Sequence, residues 1–343
     1  MAAPTMNRPD SDMPDFEPKV QTITLAKGIN MGLRAAMEAD KKVLVMGEDV
    51  GKLGGVFRIT DGLQKDFGEE RVLDTPLAES GIIGTAVGLA MRGFRPVCEI
   101  QFDGFIFPGF DQIVSQVAKL HNRSKGSIKL PIVIRVPYGG GIGAVEHHSE
   151  SPEAYFAHTA GLKVVSCSNP VDAYWMIQQA IWSDDPVLFF EPKRRYYEKA
   201  QFDPAVSPDP LWSSRQLTSG KDVTVVGYGP TVRIALDGAA AAAEEGKELE
   251  VFDLRTLSPL DLGPVYESVR KTGRLVTISE APSNCSISSE VAARVQRECF
   301  YSLQAPVLQV NGFDTPYPMS KAEEEYLPDL DKLLHAVDRS LGY

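Results

Sequence analysis

Gly139-Gly140-Gly141-Ile142-Gly143-Ala144-Val145-Glu146-His147-His148-Ser149-Glu150 follows an apolar run, residues 131–136, that reads as a buried strand. Glycine lets a backbone turn sharply and approach a ligand closely, so this stretch delivers two adjacent imidazoles near the carboxyl end of a strand. Imidazole titrates near neutrality, which suits a pair held there to proton transfer. The same residues also fit a surface loop whose histidines are incidental. The surrounding fold decides between the two.

On both sides of this stretch, strand and helix patterns alternate. Thr24 caps a helix whose apolar positions Leu25, Ile29, Leu33 and Ala36 recur at helical spacing. Residues 43–46 and 71–74 read as strands, 81–91 as a helix of small residues, and 97–100 as another strand. Residues 108–122 read as a helix with proline at its start, where a missing N–H costs nothing. Strands at 162–166 and 187–190 with a helix at 171–182 complete this half. From 191 to 220 there are several prolines and no clean period, the mark of a linker, which we place at 199–218. A second series follows, with strands at 223–226, 250–254, 275–279 and 307–310 and helices at 232–245 and Leu330–Leu341. This alternation predicts an α/β fold of two domains with mainly parallel sheets, at 21–198 and 219–343. Residues 1–20 are rich in Pro, Asp and Met and read as a disordered tail, without a signal-peptide apolar region or an arginine-rich amphipathic helix.

Composition narrows the function. A chain of 343 residues, 43% hydrophobic and 24% charged, is that of a soluble globular protein with more than one core. The net charge of −11, without a long basic cluster, argues against nucleic-acid binding. No apolar run is long enough to cross a bilayer. Cys98, Cys167, Cys285 and Cys299 lack CxxC spacing and read as reduced thiols of a cytosolic protein, with no disulfide framework or zinc site.

Three further groups carry candidate chemistry. Glu79, in Leu73-Asp74-Thr75-Pro76-Leu77-Ala78-Glu79-Ser80, lies between a strand and a helix, at the carboxyl edge of a parallel sheet where ligands bind. From position alone a helix-start carboxylate satisfying free amides is the favoured reading, and a functional one needs a partner with a protonatable nitrogen. Gln101, Phe102, Phe105, Phe107 and Phe110 crowd the next helix start; most such rings pack in a core, and one or two can stack on a flat heterocycle. Gly227-Tyr228-Gly229 lacks the third glycine of a dinucleotide fingerprint and reads as a tight strand–helix turn. Lys193-Arg194-Arg195 reads as a subunit contact, His121 and His335 as exposed helix positions, and His158 as structural.

Taken together, Gly47-Glu48-Asp49-Val50, Asp74-Thr75-Pro76-Leu77-Ala78-Glu79, Glu99-Ile100-Gln101-Phe102, Phe110-Asp111-Gln112-Ile113, His148-Ser149-Glu150-Ser151, Phe190-Glu191-Pro192-Lys193 and Leu254-Arg255-Thr256-Leu257-Ser258-Pro259-Leu260-Asp261 resemble the β subunit of the decarboxylase component of 2-oxoacid dehydrogenase complexes, over nearly the whole chain from Thr22. The resemblance implies a pyrimidine-binding domain followed by a transketolase C-terminal-like domain. It also implies thiamine diphosphate bound between an α and a β subunit in an α2β2 heterotetramer, with magnesium held by the α subunit. The Gly-Asp-Gly metal motif of the latter does not occur in this chain. By motif, Glu79 matches the glutamate that hydrogen-bonds the pyrimidine N1′, Leu77 an aminopyrimidine contact, and Gln101 a polar contact nearby. Phe105 stands where relatives often have tyrosine, which keeps stacking and loses a hydroxyl. His148 matches the histidine that assists acyl transfer to lipoamide, and His147 is a neighbour outside the chemistry. No metal ligand is assigned to this chain. The implied partners are the α subunit, a lipoyl-bearing acyltransferase and a 2-oxoacid, in a bacterial cytoplasm. Pro76-Leu77-Ala78-Glu79 and Glu146-His147-His148-Ser149 look closer to branched-chain (2-oxoisovalerate) enzymes than to pyruvate dehydrogenase. The alternatives are the pyruvate enzyme and a catalytically silent scaffold subunit that docks the acyltransferase.

Overall fold

A computed structural model of the chain describes residues 20–343. The tail expected over residues 1–20 therefore lies, up to residue 19, outside the described residues.

Short runs rich in valine, leucine and isoleucine have both faces covered, so they form the buried strands of parallel sheets. All five residues of Val43–Gly47 are buried, as are all six of Val133–Tyr138 and of Val187–Pro192. The first sheet runs in the order Thr256–Ser258, Lys163–Ser166, Val187–Pro192, Val133–Tyr138, Arg95–Glu99, Val43–Gly47, Val72–Asp74. Six of its strands are parallel, and Thr256–Ser258 is an antiparallel edge contributed by the second half of the chain. The second sheet runs Leu308–Gly312, Leu275–Pro282, Val223–Gly227, Leu249–Asp253, Arg215–Gln216; the last is antiparallel and the rest parallel.

Helix Leu25–Ala39 begins at Thr24, whose hydroxyl accepts the Lys27 N–H at 3.1 Å. It packs along Pro170–Trp182, which Asn169 caps through two amides at 2.9 and 3.0 Å. Both N-caps satisfy amides that a helix start otherwise leaves open. No helix among the described residues is long and apolar enough to cross a membrane.

Three local expectations change. The segment 108–122 is not one α-helix with proline at its start: a 3-10 turn spans Asp103–Gly109 with Pro108 inside it, Gln112–Val117 is π-helical, and Leu120–Arg123 is a single α-turn. Tight and wide turns in succession re-aim a helix, and such irregularities concentrate where function needs them. The segment expected as a linker, 199–218, opens with strand Lys199–Phe202, which pairs antiparallel with Gln21–Thr24. Lys193-Arg194-Arg195, expected as a subunit contact, is spent inside the chain: Lys193 pairs with Asp103, Arg194 with Glu280, and Arg195 donates to the Pro230 carbonyl. All four cysteines are free, three of them buried.

Polar contacts join the two halves. The Tyr228 hydroxyl, in the tight turn after Val223–Gly227, donates to Glu153 at 2.6 Å. Burial pushes the Glu153 carboxyl up to about 7, opposed by that hydrogen bond. The folded chain therefore holds this proton more tightly than the unfolded one, and stability falls as pH rises from the ordinary carboxylate range through about 7. Glu153→Gln should flatten that part of the decline, read from urea midpoints between pH 4.5 and 8; an unchanged slope would show that Glu153 does not titrate there.

Candidate active site

Three adjacent strands end side by side, and a fully buried Arg135 ties them together. Its guanidinium donates to Glu191 at 2.6 and 3.0 Å and to Glu99 at 2.7 Å, and Glu191 also accepts the Tyr196 hydroxyl at 2.7 Å. Burial pushes Glu99 up despite Arg135, whereas the two carboxylates hold Arg135 above its ordinary value. From these strands leave three loops: Gln101–Phe110, Gly139–Glu150 and the turn Lys193–Arg195.

Glu79 is the first residue of helix Glu79–Met91 and is buried. No donor among the described residues reaches its carboxyl, so capping the helix does not occupy it. Glu48 lies close enough for the two charges to interact; burial, then Glu79, then Asp49 push the Glu48 carboxyl up. Gln101 leans on the same edge, its amide reaching the Asp49 carboxylate at 3.3 Å and the Glu48 carbonyl at 3.5 Å. Leu77 stands beside them with 80% of its surface exposed.

The aromatic run and the histidines form a second cluster. The His148 ring centroid lies 4.2 Å from Phe102, 5.1 Å from Phe105 and 4.3 Å from His147, with both phenylalanines edge-on. His147 is exposed and His148 half-buried, its Nδ1 without a hydrogen-bond partner among the described residues. Burial first, and His147 second, hold His148 below the usual imidazole range. The turn Asp103–Gly109 joins the clusters: it packs against Glu79–Met91 on one side, and at its start a side chain on Gly104 would strike the His147 carbonyl oxygen at 2.5 Å. Phe107 and Phe110 pack on Tyr155 instead, away from the histidines.

Beneath the histidine loop sits a buried pair. Lys193 donates to Asp103 at 2.6 Å, and the other Asp103 oxygen accepts the Glu150 N–H at 2.7 Å. The Gly139 N–H donates to the Glu150 carbonyl at 2.9 Å, closing the loop at its base. Burial pushes Asp103 up and Lys193 down, with their mutual attraction opposing both. Asp103, Lys193 and Glu48 are site residues that sequence reasoning missed, although the first lies among the aromatics, the second in the basic run and the third in a quoted motif.

Two families of domain match this chain: the transketolase pyrimidine-binding domain over residues 21–199 and the transketolase C-terminal domain over residues 213–333. The chain is 62% identical over 327 residues to the pyruvate dehydrogenase E1 component subunit beta of Leifsonia xyli, covering 95% of this chain and 97% of that protein. It is 51% identical over 322 residues to the 3-methyl-2-oxobutanoate dehydrogenase subunit beta of Mycobacterium tuberculosis, covering 94% and 92%. A split-gene transketolase solved as an inactive β4 tetramer has the same fold, with a TM-score of 0.78 at 23% identity over 93% of this chain and 98% of that one. These matches define a transketolase-type α/β protein, the two-domain, mainly parallel architecture expected from the sequence. Within that class, the chain belongs to the β subunits of the decarboxylase (E1) component of 2-oxoacid dehydrogenase complexes.

The His148 imidazole should titrate, by NMR, with a midpoint below the ordinary value of about 6.5. His147→Ala removes the electrostatic neighbour that contributes to this lowering and should move that midpoint up; a fall would contradict the interaction described above.

Proposed function

We propose that this chain supplies the pyrimidine side of a thiamine-diphosphate site completed by an α subunit. The α2β2 assembly would then decarboxylate a 2-oxoacid oxidatively and pass the acyl group to a lipoyl arm of the acyltransferase component. The observation that carries this reading is Glu79, a largely buried residue at the carboxyl edge of a parallel sheet whose carboxyl has no protein donor among the described residues. A carboxyl in that state fits a ring nitrogen that exchanges a proton, as N1′ of an aminopyrimidine does. Bound there, thiamine diphosphate supplies the electron sink that decarboxylation of a 2-oxoacid requires.

The chain's own groups divide the remaining work. Glu79 holds or returns the proton at N1′, and Glu48 beside it is pushed up by burial, then by Glu79 and Asp49, so it gives up its own proton less readily than an ordinary carboxyl. Phe105 offers a flat apolar face, Gln101 an amide, and exposed Leu77 an apolar surface for the cofactor and the α subunit to cover. His148, held below the usual imidazole range, gives up a proton only after taking one, so acyl transfer should weaken as pH rises through its titration. Magnesium and the diphosphate we assign to the α subunit, since this chain lacks the Gly-Asp-Gly motif.

In the reconstituted α2β2 enzyme, Glu79→Ala should lower decarboxylation, followed with a one-electron acceptor, by about 10²–10⁴-fold. His148→Ala should leave that assay largely intact and lower lipoyl acylation by a comparable factor. Wild-type decarboxylation in the Glu79 variant would support the scaffold alternative, and equal rates in both assays for the His148 variant would remove it from acyl transfer.

For the substrate we favour branched-chain 2-oxoacids, on the local character of Pro76–Glu79 and Glu146–Ser149. The second reading is pyruvate, favoured by the name of the relative at 62% identity. A pocket that tells these apart by methyl groups discriminates by roughly 10–200-fold. The expected result is a kcat/KM for 3-methyl-2-oxobutanoate above that for pyruvate by a factor in this range; the reverse order would establish the second reading.

A further inference from the structure

The glycine loop is held from a direction its own half of the chain does not supply. The Gly140 N–H donates to Glu280 Oε2 at 2.9 Å, the Gly141 N–H to Glu323 Oε1 at 2.9 Å and the Gly143 N–H to Glu323 Oε2 at 3.0 Å. Both carboxylates belong to the second half and are buried. Each is braced: Tyr317 donates its hydroxyl to Glu323 at 2.6 Å, and Arg194 pairs with Glu280 at 2.6 Å. The glycines make this approach sterically open. A Cβ on Gly140 would collide with the Tyr317 hydroxyl, one on Gly139 would stand 2.7 Å from Glu280 Oε2, and Gly141 and Gly143 have φ of +85° and +70°.

Apolar packing does little to hold this segment. Gly141, Ile142, Gly143, Val145, Glu146 and His147 are all exposed. The loop is instead suspended between two polar anchors, the Glu280–Glu323 clamp before the histidines and Asp103 at Glu150 after them. His148 lies between the anchors, against Phe102 and Phe105.

We propose that Glu323 is a positioning residue for acyl transfer: by binding two loop amides at once, it carries the placement of His148 from the carboxy-terminal domain. The inference rests on the acyl-transfer role given to His148 above. Two oxygens on two amides fix the direction of the backbone as well as its distance, which a single hydrogen bond does not. Freed of Glu323, the loop still closes at its base through Gly139 and Glu150, so the strands beneath and Glu79 keep their places.

The test uses the reconstituted α2β2 enzyme with free lipoyl domain as acyl acceptor. Glu323→Ala should lower kcat for lipoyl acylation by about 10–100-fold, the scale of an ångström-sized misplacement, while decarboxylation with a one-electron acceptor stays within about twofold. Amide exchange at residues 140–143 should quicken with strand Val133–Tyr138 unchanged. Glu323→Gln, which keeps one acceptor, should fall between, and Tyr317→Phe should shift acylation in the same direction by less; these two decide the matter if the alanine variant fails to assemble. Equal loss in both assays would reduce Glu323 to a structural role, and unchanged acylation with faster exchange would overturn the inference. With His148→Ala run in parallel, loss there without loss in the Glu323 variants overturns the positioning alone. Full acylation by His148→Ala overturns the site reading and the inference together.

Discussion

The buried guanidinium of Arg135, shared by Glu99 and Glu191, is the constraint from which the rest of the site follows. Each partner sits on a different strand, and the three strands are neighbours in one parallel sheet. Removing Arg135 from such a cluster leaves buried carboxylates without their counter-charge, at a cost of about 3–5 kcal/mol. Registry among these strands is therefore tightly held where it matters, at the carboxyl edge. The aromatic turn, the histidine loop and Lys193 leave from that edge within a few residues of the cluster, so their relative positions inherit its rigidity.

Above that rigid edge, the loop works on a narrower margin. Ordering a residue's backbone costs about 1–2 kcal/mol, and a glycine-rich segment has the most freedom to lose. A hydrogen bond to a charged group returns about 1.5–3 kcal/mol, so the three amides held by Glu280 and Glu323 offset much of that cost for residues 140–143. The second domain thus does more than close the molecule; its carboxylates hold the histidine loop of the first. Asp103 and Lys193 serve the same loop from below as a buried, hydrogen-bonded pair.

The sheets were the most legible part of the sequence, because buried parallel strands such as 43–46 and 187–190 are nearly unbroken apolar runs. Residues 103–123 were less so: their apolar spacing fits a helix, but nothing in it signals a 3-10 turn passing into a π-helix around Pro108. The basic run 193–195 looked like surface because a short charged cluster usually is, and only the fold reveals three buried or half-buried acceptors facing it. Glu79 and His148 were picked out by motif, while the reason for the glycines stayed hidden. Glu280 and Glu323 lie 140 and 182 residues from the amides they bind, and no local pattern links them.

The central claim is that Glu79 faces the cofactor's pyrimidine while His148, held by its loop, faces the opening through which the lipoyl arm enters. It is tested most directly by a crystal structure of this chain assembled with its α subunit and loaded with thiamine diphosphate and magnesium. The account predicts the Glu79 carboxyl within hydrogen-bond distance of the pyrimidine N1′, Phe105 against the ring, and the His148 imidazole turned towards the thiazolium from the loop conformation described here. A pyrimidine ring bound away from Glu79, or a loop that carries His148 out of the site, would contradict it.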